Sequence, residues 1–196
     1  MGNLVCLEGV ATIVRVRPSP ARIARVAADL GISPRDAAAY LRGVGGAAGF
    51  VDSVELATLN HVMGKGTLTP NASNWIGLSS TTPTDAAGNF TEPSGGGYGR
   101  VQCQGTTATG VAWNTATGTA PAYVDNAATI TYAVASADWV SGANLTHFGL
   151  FAASTGGTVQ IWGALTTPKP VLNGDTPSFA ANAIRVQMGD PGDTYT

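Results

Sequence analysis

The side chains able to do chemistry in this 196-residue chain are few and scattered. His61 and His147 are its two histidines, and neither has a second histidine or a cysteine at ligand spacing. A zinc site therefore lacks its usual donors. Cys6 and Cys103 lie far apart without metal-type spacing, the pattern of two buried thiols. A disulfide between them stays open. There is no G-x-S-x-G elbow, no phosphate loop and no H-E-x-x-H. "GVGGAA" at 43–48 imitates a dinucleotide fingerprint but follows a predicted helix, not a strand. Any two of Asp85, Glu92, Asp125, Asp138 and Asp175 could converge as a glycosidase pair. They fall in turns, however, where Asp also serves as an ordinary turn-former. With so few groups able to activate a nucleophile, the expectation is a protein without catalysis, cofactor or metal.

One motif points elsewhere. "IARVAADLGISPRDAAAYLR", Ile23 to Arg42, has the grammar of a helix-turn-helix: an alanine-rich helix, Leu-Gly-Ile-Ser at the turn, then a second helix carrying Arg35 and Arg42. In a DNA-binding unit Arg35 would approach a groove and Arg22 or Arg25 the phosphates. Two helices alone are a small core for an independent DNA-binding domain, and arginine also dominates protein interface anchors. Arg22, Arg25, Arg35 and Arg42 are thus read as contacts to an acidic partner surface, with nucleic acid as the lesser alternative.

The elements around these residues follow from pattern. Leu4 to Arg17 alternates partly in Val and Ile and favours a strand ended by Pro18. Ser19-Pro20 and Ser33-Pro34 open two helices with apolar stripes at Ile23, Val26, Ala27, Leu30 and at Ala37, Tyr40, Leu41. "GVGGAAG" is a joint. A third helix is predicted over Val51 to Met63, capped by Asp52 or Ser53, with Val54, Leu56, Leu59 and Val62 available for burial. Beyond "GKG" the period becomes strand-like: Trp75–Ser79, Tyr98–Gln104, Ala128–Val134, Leu145–Ala152, Thr158–Leu165 and Ala183–Met188, with weaker candidates near Val111–Trp113 and Val171. Leu145–Ala152 should pair with Thr158–Leu165 across "ASTGG". Phe148, Leu150 and Ala152 would then face one side and His147, Gly149 and Phe151 the other, giving a sheet covered on both faces.

Short strands without intervening helices predict a mainly β fold, an antiparallel β-sandwich or jelly-roll-like domain preceded by a small α-helical N-terminal segment. The division is 1–50 as a strand plus two-helix attachment segment, 51–66 as a linking helix, and 67–196 as the β-sandwich. Charged residues are 11% of the chain, against roughly 25% in an ordinary soluble domain. This favours a surface partly covered by other protein. The net charge of −2 calls for neither nucleic acid nor an anionic membrane, although residues 1–50 are net +3 and the remainder −5. No apolar run approaches the ~20 residues of a membrane span, and no secretory signal is evident.

"WIGLSSTTPTDAAGNFTEPSGGGYGRVQ", Trp75 to Gln102, holds some twenty residues of turn chemistry with two carboxylates, Asp85 and Glu92. Pro83 and Pro93 restrict it in advance and Gly95–Gly97 permit a sharp turn into Tyr98. A loop so poor in charge suits docking at a subunit or sandwich edge.

With "THFGLFAASTGG" (146–157) and "WGALTTPKPVLNGDTPSFAANAIRVQM" (162–188), this stretch resembles a bacteriophage virion protein family usually labelled tail fibre protein. The resemblance covers about residues 52–188, with three blocks in the right order. It implies a non-enzymatic particle component, made in the host cytoplasm and located in the virion. Its partners would be other tail, baseplate or capsid proteins and further copies of itself, a trimer being one form. A capsid decoration protein (head fibre or cement) is the alternative reading. Trp75, Tyr98, Trp113, Trp139, Phe148, Phe151 and Trp162 are the expected core or interface aromatics.

Overall fold

The computed structural model describes residues 4–13, 24, 28, 48–69, 71–105, 113–118 and 122–188. In chain order its elements are β1 (Leu4–Ile13), β2 (Ala48–Phe50), α1 (Asp52–Val62), β3 (Ser73–Ser79), β4 (Val101–Gly105), β5 (Ala122–Asp125), β6 (Ile130–Thr131), β7 (Leu145–Phe151), β8 (Ile161–Lys169) and β9 (Thr176–Met188). One sheet runs β4-β3-β7-β8, with β2 on the far side of β8; the other runs β1-β9-β5, with β6 also on β9. β8 joins the two, pairing with β7 and β2 and then, through Leu165, with Gly9 of β1. The pairings are antiparallel except that of β1 with β9. The molecule is mainly β, as expected.

Period-two alternation explains the layering. Ile76 and Leu78 of β3 and Phe148 and Leu150 of β7 point inward and meet Leu7, Ile130, Leu165, Phe179 and Ile184 in the main core. Trp75, Gly77 and Ser79 pair with Phe151, Gly149 and His147 and occupy the opposite face. There Phe151 and Trp162 join Val51 and Val159, with Val54, Trp75, Ala87 and Phe90 packed against them, in a second and smaller core. The doubly covered sheet read from β7 is present, and its outer cover belongs to the chain itself.

The expected hairpin is present as well, with Phe148 opposite Gly163 and Leu150 opposite Ile161. The second strand starts later than Thr158, because Val159 turns into the outer core and Gln160 donates its N–H to the Leu150 carbonyl at 2.8 Å. Ordered strand likewise begins at Val101 rather than Tyr98, whose N–H closes a turn onto the Gly95 carbonyl at 3.0 Å. Of Ala128–Val134 just Ile130–Thr131 pairs, Val171 is buried in a loop, and Trp113 makes an isolated bridge to Asn126. β5 was not legible, because four residues are too few to show a period. The strand read over Leu4 to Arg17 is described as far as Ile13; of 14–47, where the two arginine-bearing helices were placed, Ala24 and Ala28 alone are described, both helical and exposed.

β1 is an integral strand, in register with β9 from Leu4 opposite Thr176 to Ile13 opposite Met188. A boundary at residue 50 would therefore cut a hydrogen-bonded strand from its sheet. Between Leu7–Phe179 and Gly9–Ile184 the register jumps, and β9 bulges out through Asn182 at φ 61°. Asn126, 1% exposed, secures the bulge: its amide donates to the carbonyls of Ala128 and Ala180, and its oxygen accepts from the Ile184 N–H, each at 2.8 Å. Every hydrogen-bonding direction used there is satisfied, as burial requires.

α1 corrects the sequence reading. No side chain caps it; Val51 is the N-cap and the Asp52 N–H donates to the Asp85 carbonyl at 2.9 Å. Val51 is buried and Val54 partly so, but Leu56, Leu59 and Val62 are 65%, 61% and 68% exposed. Among the described residues the helix is held through its first turn, with Ala57 and Thr58 half-buried beyond it.

The outer face has room for its cover because two of its positions lack side chains. A Cβ on Gly149 would lie 2.5 Å from Phe90 Cε2 and 2.7 Å from Val159 Cγ2. Gly149→Ala should cost about 1–3 kcal/mol through overpacking, lowering Tm by several degrees. Gly99→Ala, where an added Cβ meets nothing within 4 Å, should leave Tm unchanged. Thermal unfolding of both variants checks this.

Candidate functional site

The loop between β3 and β4 is a strap laid across the outer face of its own sheet. Its first half is held by hydroxyls. Ser79 Oγ donates to the Thr81 carbonyl at 2.9 Å and accepts the Thr91 N–H at 2.9 Å, and Thr81 Oγ1 donates to the Asn89 carbonyl at 2.5 Å. Asn89 Nδ2 closes the tip on the Thr82 carbonyl at 2.8 Å. Ala87 and Asn89 both sit at φ 59°, the left-handed region expected of a tight tip. Pro83 and Pro93 are buried, and Phe90 drops onto Phe151 edge-to-face with ring centroids 5.1 Å apart.

The second half is an ionic clamp. Glu92 accepts from Arg100 through both oxygens, at 2.9 and 2.6 Å, and from the Tyr98 hydroxyl at 2.7 Å. The remaining Arg100 nitrogen, Nη1, donates to the carbonyls of Ala153 and Gly156 at 3.0 and 2.7 Å, and the guanidinium lies 3.4 Å from the Phe151 ring centroid. One side chain thereby ties the strap to the β7–β8 turn and stacks on the sheet between them. The Arg100 side chain is 5% exposed and that of Glu92 26%. The pair is desolvated on one side and satisfied by further hydrogen bonds, the condition under which a buried ion pair is tolerated.

Tyr98 connects this clamp to the main core. Its ring packs on Trp139 edge-to-face at 5.1 Å and beside Tyr132 at 6.4 Å, and its hydroxyl accepts the Leu78 N–H at 2.9 Å. That donor lies beyond the reach of β4, whose pairing with β3 ends at Ile76. Burial, together with the Glu92 carboxylate, pushes the Tyr98 phenol far above its ordinary value, so it stays a proton donor to Glu92. Gly95, Gly96 and Gly97 have φ of 86°, 59° and 76°, and a Cβ on Gly96 would meet the Ala137 carbonyl oxygen at 2.9 Å. The Gly96 carbonyl accepts from Trp139 Nε1 at 2.9 Å. Three glycines are needed there because the backbone both turns left-handed and touches its neighbour.

Three further candidate carboxylates also serve structure. Asp125 forms a bidentate pair with Arg185 at 2.7 and 2.8 Å, and Arg185 lies over the Tyr123 ring. Asp138 accepts the Asn173 N–H and Asp175 the Leu172 N–H, both at 2.9 Å. Among the described residues no three His, Cys, Asp or Glu side chains cluster in a way that could hold a metal ion. Cys103 is a free, fully buried thiol pushed up to about 12 by desolvation.

Of the expected aromatics, Trp139, Phe148, Phe151 and Trp162 are buried, and Trp75, Tyr98 and Trp113 are partly so. Tyr98 and Trp139 meet in the main core, Phe151 and Trp162 in the outer one, and Trp113 lines an open apolar groove of about 210 Å³ between the sheets with Val124, Leu150, Ile161 and Val186. Arg22, Arg25, Arg35 and Arg42 lie outside the described residues. His147 shares a hydrogen bond with its neighbour, Thr146 Oγ1, at 2.8 Å. The sequence reading missed Arg100 and the partnership with Glu92 that organises the strap. Both stand in "EPSGGGYGR", and the signal was the arginine closing a glycine-rich turn opened by a glutamate.

Arg100→Lys should cost roughly 2 kcal/mol, because a point ammonium cannot reproduce the fork; urea unfolding measures it. Burial lowers the His147 pKa below 6.5, so the unfolded chain binds its proton first. The stability linked to this group is complete above pH 6.5 and is lost as pH falls through the folded value. Tm of the parent chain should fall between pH 7 and pH 5 more steeply than that of His147→Gln.

The family model described as Podophage GP4 fiber I protein gp80 matches residues 49–187. No curated protein matches the chain.

Proposed function

The chain belongs to the podophage GP4 fibre I protein gp80 family, and from that premise we propose that it is a non-enzymatic structural component of the phage virion, a fibre-type surface appendage. It joins other virion proteins and further copies of itself through protein–protein contacts. The observation that carries this reading is the strap. Its outward residues Thr82, Thr84, Ala86, Asn89, Thr91 and Ser94 are neutral, Asp85 is the one exposed carboxylate among them, and Glu92 and Arg100 are consumed internally. A surface so poor in charge and already fixed in one shape docks with little ion desolvation and little loss of loop entropy.

β1 and β2 are built into the sheets, so the attachment role read for residues 1–50 falls to 14–47. Arg22, Arg25, Arg35 and Arg42 supply positive charge for an acidic face of the partner. Family membership supports a virion component, and among the described residues no helix is long and apolar enough to cross a membrane.

The test is incorporation. Purified particles should contain the chain at a fixed copy number by quantitative mass spectrometry. Replacing Thr82 and Ala86, exposed positions whose side chains do not hold the strap, by lysine should lower that number at least several-fold while the Tm of the isolated chain stays within a few degrees. Particles lacking the parent chain, or a purified chain with hydrolytic turnover, would overturn the proposal.

A further inference from the structure

Asn173 is the one asparagine in the chain that is followed by glycine. In such a dipeptide the backbone can attack the side chain before it. The Gly174 nitrogen loses its proton to a solvent base and bonds to Cγ of Asn173, the bond from Cγ to Nδ2 breaks, and the side-chain nitrogen leaves as ammonia. Water then opens the resulting five-membered imide at one of its two carbonyls, leaving aspartate or isoaspartate at the position. Glycine favours the first step because no side chain shields its nitrogen and its backbone reaches the closing geometry freely.

Asn173 is exposed, in the loop between β8 and β9, so water and base reach it. What opposes the reaction is the geometry of the turn. The Asp175 N–H donates to the Leu172 carbonyl at 3.0 Å, and Gly174 at φ 89° fills the third position of the turn, which a type II turn reserves for glycine. The Gly174 N–H, the attacking group itself, donates to the Ala135 carbonyl at 2.7 Å, and the Ala135 N–H returns a bond to the Asp175 carbonyl at 2.8 Å. Asp138 Oδ1 accepts the Asn173 N–H and Asp175 Oδ2 the Leu172 N–H, both at 2.9 Å. The one nitrogen that must be free to react is thus held, through its own proton, by a second loop.

We propose that Asn173–Gly174 is a latent self-modification site, held shut by the loop over 133–139 through the Ala135 carbonyl and the Asp138 carboxylate, and reactive when these two loops part. The reaction needs nothing beyond the chain and water, so it stands or fails separately from any role in the virion. Parting two surface loops costs less than unfolding the sheets, and the folded chain therefore reacts slowly instead of not at all. A new carboxylate at 173 adds like charge to a turn already held by Asp138 and Asp175, and isoaspartate adds a methylene to its backbone. Either change weakens the closure that held the site. Trp139 sits on the same pair of loops, its backbone N–H on the Val171 carbonyl at 3.0 Å and its indole N–H on the Gly96 carbonyl, so the change is transmitted to the glycine turn of the strap.

Peptide mapping of the full chain after incubation at mildly alkaline pH tests it, with isoaspartate methyltransferase labelling the isomerised product. Conversion at Asn173 in native buffer should be at least about ten-fold slower than in urea above the unfolding midpoint. Asp138→Ala should raise the native rate several-fold with the strand circular dichroism intact, and should raise hydrogen exchange of the Gly174 amide by a like factor. Ser141→Ala, at an exposed position on the following loop, should change neither. Equal rates in native buffer and urea would overturn the proposal. So would an Asp138→Ala rate equal to the parent's, or an Asn173 that stays unconverted in urea.

Discussion

Two missing side chains set the architecture of the outer sheet face. Gly77 and Gly149 lie opposite one another on β3 and β7, and they open a shallow channel in a row otherwise filled by Trp75, Phe151 and His147. A Cβ on Gly77 would stand 2.8 Å from a Glu92 oxygen, and one on Gly149 2.5 Å from the Phe90 ring. The strap reaches hydrogen-bonding distance of the sheet because that channel exists. The Glu92–Arg100 pair, the stacking on Phe151 and the fixing of the β7–β8 turn all follow from this close approach. Dispersion contacts at such separations fall steeply with even a small radial gap, so the fit is all-or-none.

The same constraint relates composition to function. A loop of some twenty residues ordinarily brings conformational freedom with it, and freedom is lost on docking. Here the Ser79 and Thr81 hydroxyls, two buried prolines and one arginine remove that freedom during folding. What faces outward is a preformed ridge with Asp85 as its one exposed carboxylate. For a family of phage fibre proteins, whose members work as parts of a particle, order acquired before assembly allows weak contacts to add without further entropy loss.

Much of this was legible in the residues. Alternation identified β3, β7, most of β8 and the end of β9, and it assigned Phe148 and Phe151 to opposite faces, because a half-buried strand writes its burial directly into every second position. The glycine run before Tyr98 gave the left-handed turn. Other features were not readable, for physical reasons. β5 is a strand by virtue of what lies beside β9, not of its own pattern, and β9 likewise sets how little of the predicted Ala128–Val134 strand pairs. Helical periodicity in Val54, Leu56, Leu59 and Val62 shows that a face exists but not whether anything in the same chain covers it. The Glu92–Arg100 pair joins residues eight apart across a turn whose shape depends on contacts with Trp139 and Ala137, so its geometry is a tertiary fact. Asn126 appears in the sequence as an ordinary turn residue, and its role in holding the β9 bulge arises from a strand more than fifty positions away.

The parallel alignment of β1 with β9 bears on how the molecule is made. Leu4 pairs with Thr176 and Ile13 with Met188, so the earliest of the described strands in chain order has its principal neighbour in the latest. Until β8 and β9 are made, β1 presents two open hydrogen-bonding edges, and closing so long a loop is slow. Nascent chains must either hold that ribbon aside or offer it to another molecule. Synthesis thus exposes a window for strand exchange between chains, which a chaperone or prompt pairing would close.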